Sequence, residues 1–217
     1  MSLTRQAPQG VPDKTSNSNI EYTNLELGEH DGRLAYIADL GFHEVKYQGE
    51  SKGFFQHYAL GIEMIGHTVK IDDKEQPKLL WGKAFPIYKD LTETSGEFKA
   101  YSVFEPSVQE KDVPDWDAQL GKPCNVIIDH AVVGDNTYDN IKSLVGIPSK
   151  YQSNVPEGSI TPSAGRTKEV MDAMYGLVKW LYDRQVTNEE HVGTKPTPAP
   201  VAQSVVEADN FDDDIPF

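Results

Sequence analysis

The 217-residue chain has one cysteine, Cys124, which excludes an internal disulfide framework and any zinc site built on cysteines. No stretch approaches the roughly 18 consecutive apolar residues of a membrane-spanning helix. Residues 1–31 hold no apolar segment of the signal-peptide kind. These absences lead to the expectation of a soluble, cytoplasmic protein with no membrane partner. The six histidines, His30, His43, His57, His67, His130 and His191, never pair at i, i+4. There is no H-E-x-x-H pattern, no glycine-rich phosphate loop ending in Lys-Ser/Thr, and no G-x-S-x-G elbow. Apolar residues make up 38% of the chain, below the roughly 45–50% of average globular proteins, so part of it belongs outside a core.

Charge is what the chain has in excess, and it is unevenly placed. The net charge is −14, and a pI near 4.8 ordinarily argues against a nucleic-acid partner. Residues 187–217 hold one cation, Lys195, against seven acidic side chains, nearly half of the excess. Their proline-spaced stretch, Thr194-Lys195-Pro196-Thr197-Pro198-Ala199-Pro200, favours extended backbone and cannot start a helix. Residues 1–30 are rich in Gln, Pro, Asn and Ser. Four parts follow: a flexible lead (1–30), a folded body (31–150), a linker and helix (151–186), and a disordered acidic tail (187–217).

The body reads as strands, with β-branched and aromatic residues alternating with polar ones. Arg33–Tyr47 is one long strand, interrupted at Gly41 by a bulge or bend. Phe54–Ile65 is a second, with Leu60, Ile62 and Met64 pointing one way and Phe55, His57 and Glu63 the other. Lys78–Tyr88 and Glu97–Phe104 suggest a hairpin around Ser95-Gly96, and Asp115–Leu120 a short helix. Pro123–Val133 and Thr137–Val145 complete the set. About five strands with a bent first one suit a mainly β fold, a five-stranded Greek-key barrel of the OB type; a small sandwich fits the same order. Residues 166–185 place Val170, Met174, Leu177, Val178 and Leu181 on one stripe, which predicts an amphipathic helix packed on the barrel.

The chain ends Phe211-Asp212-Asp213-Asp214-Ile215-Pro216-Phe217: aspartates, two apolar groups and a free carboxylate. A hydrophobic slot beside a cation would hold this tip, and the aspartates would steer it there. A solubilising tail has no use for exposed Phe211, Ile215 and Phe217. The segment resembles the C-terminal tip of bacterial single-stranded DNA-binding proteins, in which an OB-fold core and a flexible linker precede an acidic, Phe-terminated peptide. The core is similar, at fold level, to the diverged single-stranded DNA-binding proteins of bacteriophages. That resemblance implies a protein of phage replication, recombination or repair that coats single strands. It also implies that Asp212, Asp213, Asp214, Ile215, Pro216 and Phe217 dock host or phage enzymes, in the host cell cytoplasm. Leu80-Trp81-Gly82-Lys83 does not fit the bacterial proteins, and tetramer formation does not carry over; monomer and dimer both stay open.

Sequence-tolerant binding of single strands needs cations that follow phosphates and rings on which bases stack. Residues 33–150 contain 13 Lys or Arg and 14 Phe, Tyr or Trp, several adjacent or alternating. Most of these rings belong in the core of an all-β domain. Strand parity turns Phe55 outward, sets Trp81 and Lys83 on one face, and leaves Tyr138, Asn140 and Lys142 outward while Ile141 and Val145 face in. The expected DNA surface is Lys46, Phe55, Trp81, Lys83, Lys99, Tyr101, Tyr138 and Lys142. No constellation of catalytic side chains converges, Asp72-Asp73-Lys74-Glu75 reads as a solvated loop, and Cys124 as an inert core thiol. The expectation is a non-enzyme without cofactor or metal. The alternative is a metal-dependent nuclease or recombination enzyme carrying the same docking tip.

Overall fold

The computed structural model describes residues 20–134 and 136–186; the acidic tail and its tip lie outside them, as do residues 1–19. The architecture is mainly β, about 47% strand, built as a curled antiparallel half-barrel with a few short helices. Strands are β1 (Ile20–Glu21), β2 (Gly28–Tyr47), β3 (Glu50–Ile71), β4 (Lys74–Trp81), β5 (Phe85–Pro86), β6 (Pro123–Val133), β7 (Asn136–Gly146) and β8 (Ser163–Gly165). Helices are α1 (Gly96–Tyr101), α2 (Ser149–Gln152), α3 (Lys168–Ala173) and α4 (Gly176–Asp183).

The long hairpin β2–β3 is the spine. β6 pairs antiparallel with the first residues of β2, from Gly28↔Ile128 to Arg33↔Pro123. β7 pairs with β6, and β4 pairs with the outer edge of β3. The main strands therefore run in the order β4-β3-β2-β6-β7. The bend at Gly41 is present: φ is +79°, and the β2–β3 register slips between Asp39 and Gly41. Inside the curl lie Leu34, Ile37, Leu60, Ile62, Met64, Leu80, Val126 and Ile128. Cys124 is buried here too, and burial pushes its thiol up to about 12.

Several sequence expectations give way. β1 pairs with β3 from Ile20, and Tyr22 and Leu25 pack on the barrel, so the folded part begins by Ile20 rather than at residue 31. Glu97–Phe104 is no strand: Ser95 Oγ caps α1 by accepting the Phe98 N–H at 3.1 Å. The apolar residues Phe98, Tyr101 and Phe104 recur every third position, a helical spacing that outweighs the apparent alternation. Asp115–Leu120 reduces to a single 3₁₀ turn at Asp117–Gln119. The helix expected over 166–185 is broken into α3 and α4 at Met174 and Tyr175, and Gly176, the first residue of α4, takes φ +56°. Its stripe still packs, because Val170, Met174 and Val178 are buried, but Leu177 is exposed.

The expected outward face of β3 is also covered. His57 and Glu63 are buried, because α3, α4 and the loop before β8 form a second layer over that face. Glu63 is satisfied there by the backbone N–H groups of Ser159 and Ile160, at 2.7 and 3.0 Å. In β7, Ile141 faces in as expected, but Val145 is exposed and Leu144 half-buried. A bulge opposite Ile127/Ile128 inverts the parity of everything beyond Ile141.

The seam of the half-barrel, between β4 and β7, is closed by side chains. Lys78 Nζ lies 2.6 Å from Asp139 Oδ2, both side chains almost wholly buried. Asp139 also accepts the Tyr22 hydroxyl at 2.7 Å and the Leu25 N–H at 3.0 Å, while Lys78 donates to Thr23 O at 2.6 Å. Burial, aided by Asp139, drives the Tyr22 phenol well above its ordinary value.

Candidate nucleic-acid interface

Beyond Gly41 the β2–β3 hairpin leaves the second layer and continues as a finger. It ends in the two-residue turn Gln48-Gly49, both residues at positive φ, which matches the twist of paired strands. A strap, residues 82–88, lies along its β3 edge: β5 pairs with His57 and Tyr58, and the Ile87 N–H donates to Gln56 O at 2.7 Å. Cross-strand pairing puts Gly41 opposite His57 and His43 opposite Phe55, so these side chains share one face. His43 and His57 meet edge to face at 5.2 Å, and Phe55 meets Tyr88 of the strap at 4.9 Å. Burial, partly offset by a hydrogen bond from Nε2 to Leu40 O, lowers the His43 pKa.

Exposed cations lie along the finger and the strap. Lys46 is exposed and pairs with Glu44 at 3.1 Å. Lys52 lies 3.5 Å from Glu50 and 5.7 Å from the centre of the Tyr47 ring. Lys83 and Lys89 are exposed at the two ends of the strap. Finger and strap thus carry three of the expected site residues, Phe55 and Lys83 and, on the opposite face of the ladder from Phe55, Lys46; they add His43, Lys52, Tyr88 and Lys89, which strand parity alone did not select. The adjacent pairs Tyr88-Lys89 and Lys52-Gly53-Phe54-Phe55 were the legible signal.

Two expected residues are not on a surface that could stack a base. Trp81 packs beneath α3: its indole N–H donates to Ala173 O at 3.0 Å and its ring stacks on Tyr36 at 6.3 Å. Tyr101 is a core residue, 6% exposed. Its ring meets Trp116 edge to face at 5.0 Å, and its hydroxyl accepts the Asp115 N–H and the Gln119 side-chain amide. The reason is the helix: α1 presents Tyr101 inward and leaves Lys99 exposed.

Tyr138 and Lys142 are exposed on β7, with Lys142 at the bulge. They do not join Phe55 along the sheet. β6 runs on past the start of β2, so the β6–β7 turn lies beyond the opposite end of β2 from the Gln48-Gly49 turn. A cleft of about 440 Å³ between Tyr58 and the 114–117 segment is rimmed by Asp39, Asp115 and Asp117, which repel phosphate. Among the described residues, no group of three or more His, Cys, Asp or Glu is placed to hold a metal ion, and no helix is long and apolar enough to cross a membrane.

No protein-family model and no curated protein matches the chain.

Proposed function

We propose that the protein is a sequence-independent single-stranded DNA-binding protein, of the kind that serves phage replication and recombination, whose finger and strap engage the strand. Three features support this. The order β4-β3-β2-β6-β7, with α1 between β4 and β6 and the edges β4 and β7 drawn together, suits an open OB-type barrel. In such barrels the loop of the first hairpin belongs to the binding surface. The C-terminal tip Asp212–Phe217 fits a peptide that docks replication and recombination enzymes. The observation that carries the proposal is the finger itself: the first hairpin is extended well beyond the core, Phe55 meets Tyr88 on one of its faces, and the exposed Lys46, Lys52, Lys83 and Lys89 lie along it and its strap.

Stacking supplies about 1–3 kcal/mol per base, and lysine contacts add a salt-dependent part, so a few rings and cations suffice even on an acidic chain. The test is a titration of fluorescent oligo-dT with the full-length protein at two salt concentrations, with and without Mg²⁺. Binding that weakens as salt rises, leaves the DNA intact in Mg²⁺, and drops roughly tenfold in Phe55→Ala is the expected result. No binding at low salt overturns the proposal; degradation of the oligonucleotide in Mg²⁺ would favour a nuclease bearing the same tip.

A further inference from the structure

The end of α4 carries an aromatic–cation pair that lies outside the finger. Trp180 is 41% exposed, and the guanidinium carbon of Arg184, one turn on, sits 4.4 Å from the centre of its ring. The residues of this segment that face the core are others, Val178 with Val170 and Met174. The neighbouring cations are neutralised, Lys179 by Asp183, Lys168 by Asp172 and Arg166 by Asp39. Among the described residues, no carboxylate pairs with Arg184.

The position of this pair matters as much as its chemistry. Gln185, the next residue, packs so closely on Gly41 that a Cβ there would lie 2.3 Å from its Oε1. The Val186 N–H then donates to Phe42 O at 2.9 Å, tying the helix end to the base of the finger. Gly41 points toward this helix end, and its cross-strand partner His57 shares that face with His43 and Phe55. The base of the aromatic face and the end of α4 are therefore neighbours.

We propose that Trp180 and Arg184 bind single-stranded DNA together, the indole stacking a base and the guanidinium meeting a phosphate, so that the strand's path continues from the finger onto α4. This rests on the function proposed above. An exposed ring with a guanidinium over one face offers both contacts that a single strand needs, its other face to a base and the guanidinium to a phosphate. Arg184 has no carboxylate partner among the described residues, so its guanidinium is open to a phosphate.

The chain's three tryptophans make the test direct. Trp116 is 8% exposed and Trp81 is held under α3, so quenching of intrinsic fluorescence by oligo-dT should report Trp180. The full-length protein is expected to be quenched, and Trp180→Phe to lose most of the quench while keeping its melting temperature. Trp180→Ala should bind roughly tenfold more weakly. Arg184→Gln should reduce the slope of log K against log salt by about 0.7, the loss of one phosphate contact on a single strand. Binding by the wild type with undiminished quench in Trp180→Phe, and with affinity and salt slope unchanged in the other two variants, overturns this inference alone. No binding by the wild type overturns it together with the proposed function. A wild-type dimer that Trp180→Ala converts to monomer assigns the face to a second copy, and also overturns it.

Discussion

The two halves of the β2–β3 hairpin share a ladder and almost nothing else. In the proximal half, Leu34–Leu40 against Tyr58–Met64, nearly every side chain is buried, one face against the barrel core and the other against α3 and α4. In the distal half, Glu44–Tyr47 against Glu50–Phe55, nothing is fully buried, and lysines, glutamates and aromatic rings alternate. The boundary is Gly41, where the bulge, the positive φ and the close approach of Gln185 coincide. A β-ladder does not specify what its faces do. The layer packed on it does, and where that layer stops, the same pair of strands passes from scaffold to the exposed surface proposed to bind DNA.

The sharpest way to separate the halves is to break the seam that closes the body. Lys78→Ala leaves Asp139 buried without its ion pair, an error that costs about 3–5 kcal/mol. A large drop in melting temperature is expected. Under conditions where the variant remains folded, its affinity for oligo-dT per folded molecule should be unchanged, because Lys78 is remote from the finger along the sheet. Equal stability in wild type and variant would show that the pair does not close the barrel.

A change at the boundary should have a smaller effect and touch both halves. Gly41→Ala places a Cβ against Gln185 and Arg166 at φ +79°, a strain of roughly 1–3 kcal/mol. The end of α4 would be pushed off the finger base, and hydrogen exchange should rise at Gln185 and Val186 before it rises in Leu34–Leu40. Uniform change along the hairpin would mean that the boundary lies elsewhere.

The mildest probe is pH. Burial holds the pKa of His43 below its ordinary value, and burial with the neighbouring His30 does the same for His67. Each therefore binds fewer protons folded than unfolded. The stability they protect is complete above about pH 6.5 and is lost as pH falls from there toward the lowered folded values. The melting temperature should fall on acidification through that window, and less steeply in His43→Gln. An identical slope in the variant would remove His43 from the account.

Some of this organisation could be read before any coordinates. The alternation of Leu60, Ile62 and Met64, the bend at Gly41, and the burial of Val170, Met174 and Val178 all follow from periodicity, which registers the face a residue shares with its neighbours. The closing ion pair was legible too, though unread: Lys78 shares parity with Leu80, and Asp139 with Ile141, so both charges point inward. Trp81 and Tyr101 were misplaced because parity distinguishes one face of a strand from the other but does not reveal whether a second layer covers it, or whether the segment is a strand at all. The bulge in β7 displaced Val145 for a similar reason, since one extra residue inverts every assignment after it.

By itself, the sequence determined a mainly β body, the glycine at which its longest strand bends, and an acidic, Phe-terminated end, because composition and local periodicity depend only on neighbouring residues. Tertiary structure alone decided which aromatic rings stay accessible, that Phe55 meets Tyr88, and that Gln185 and Val186 close on the base of the finger. Those contacts join residues some 30 to 140 positions apart, and only the packing of one layer on another brings them together.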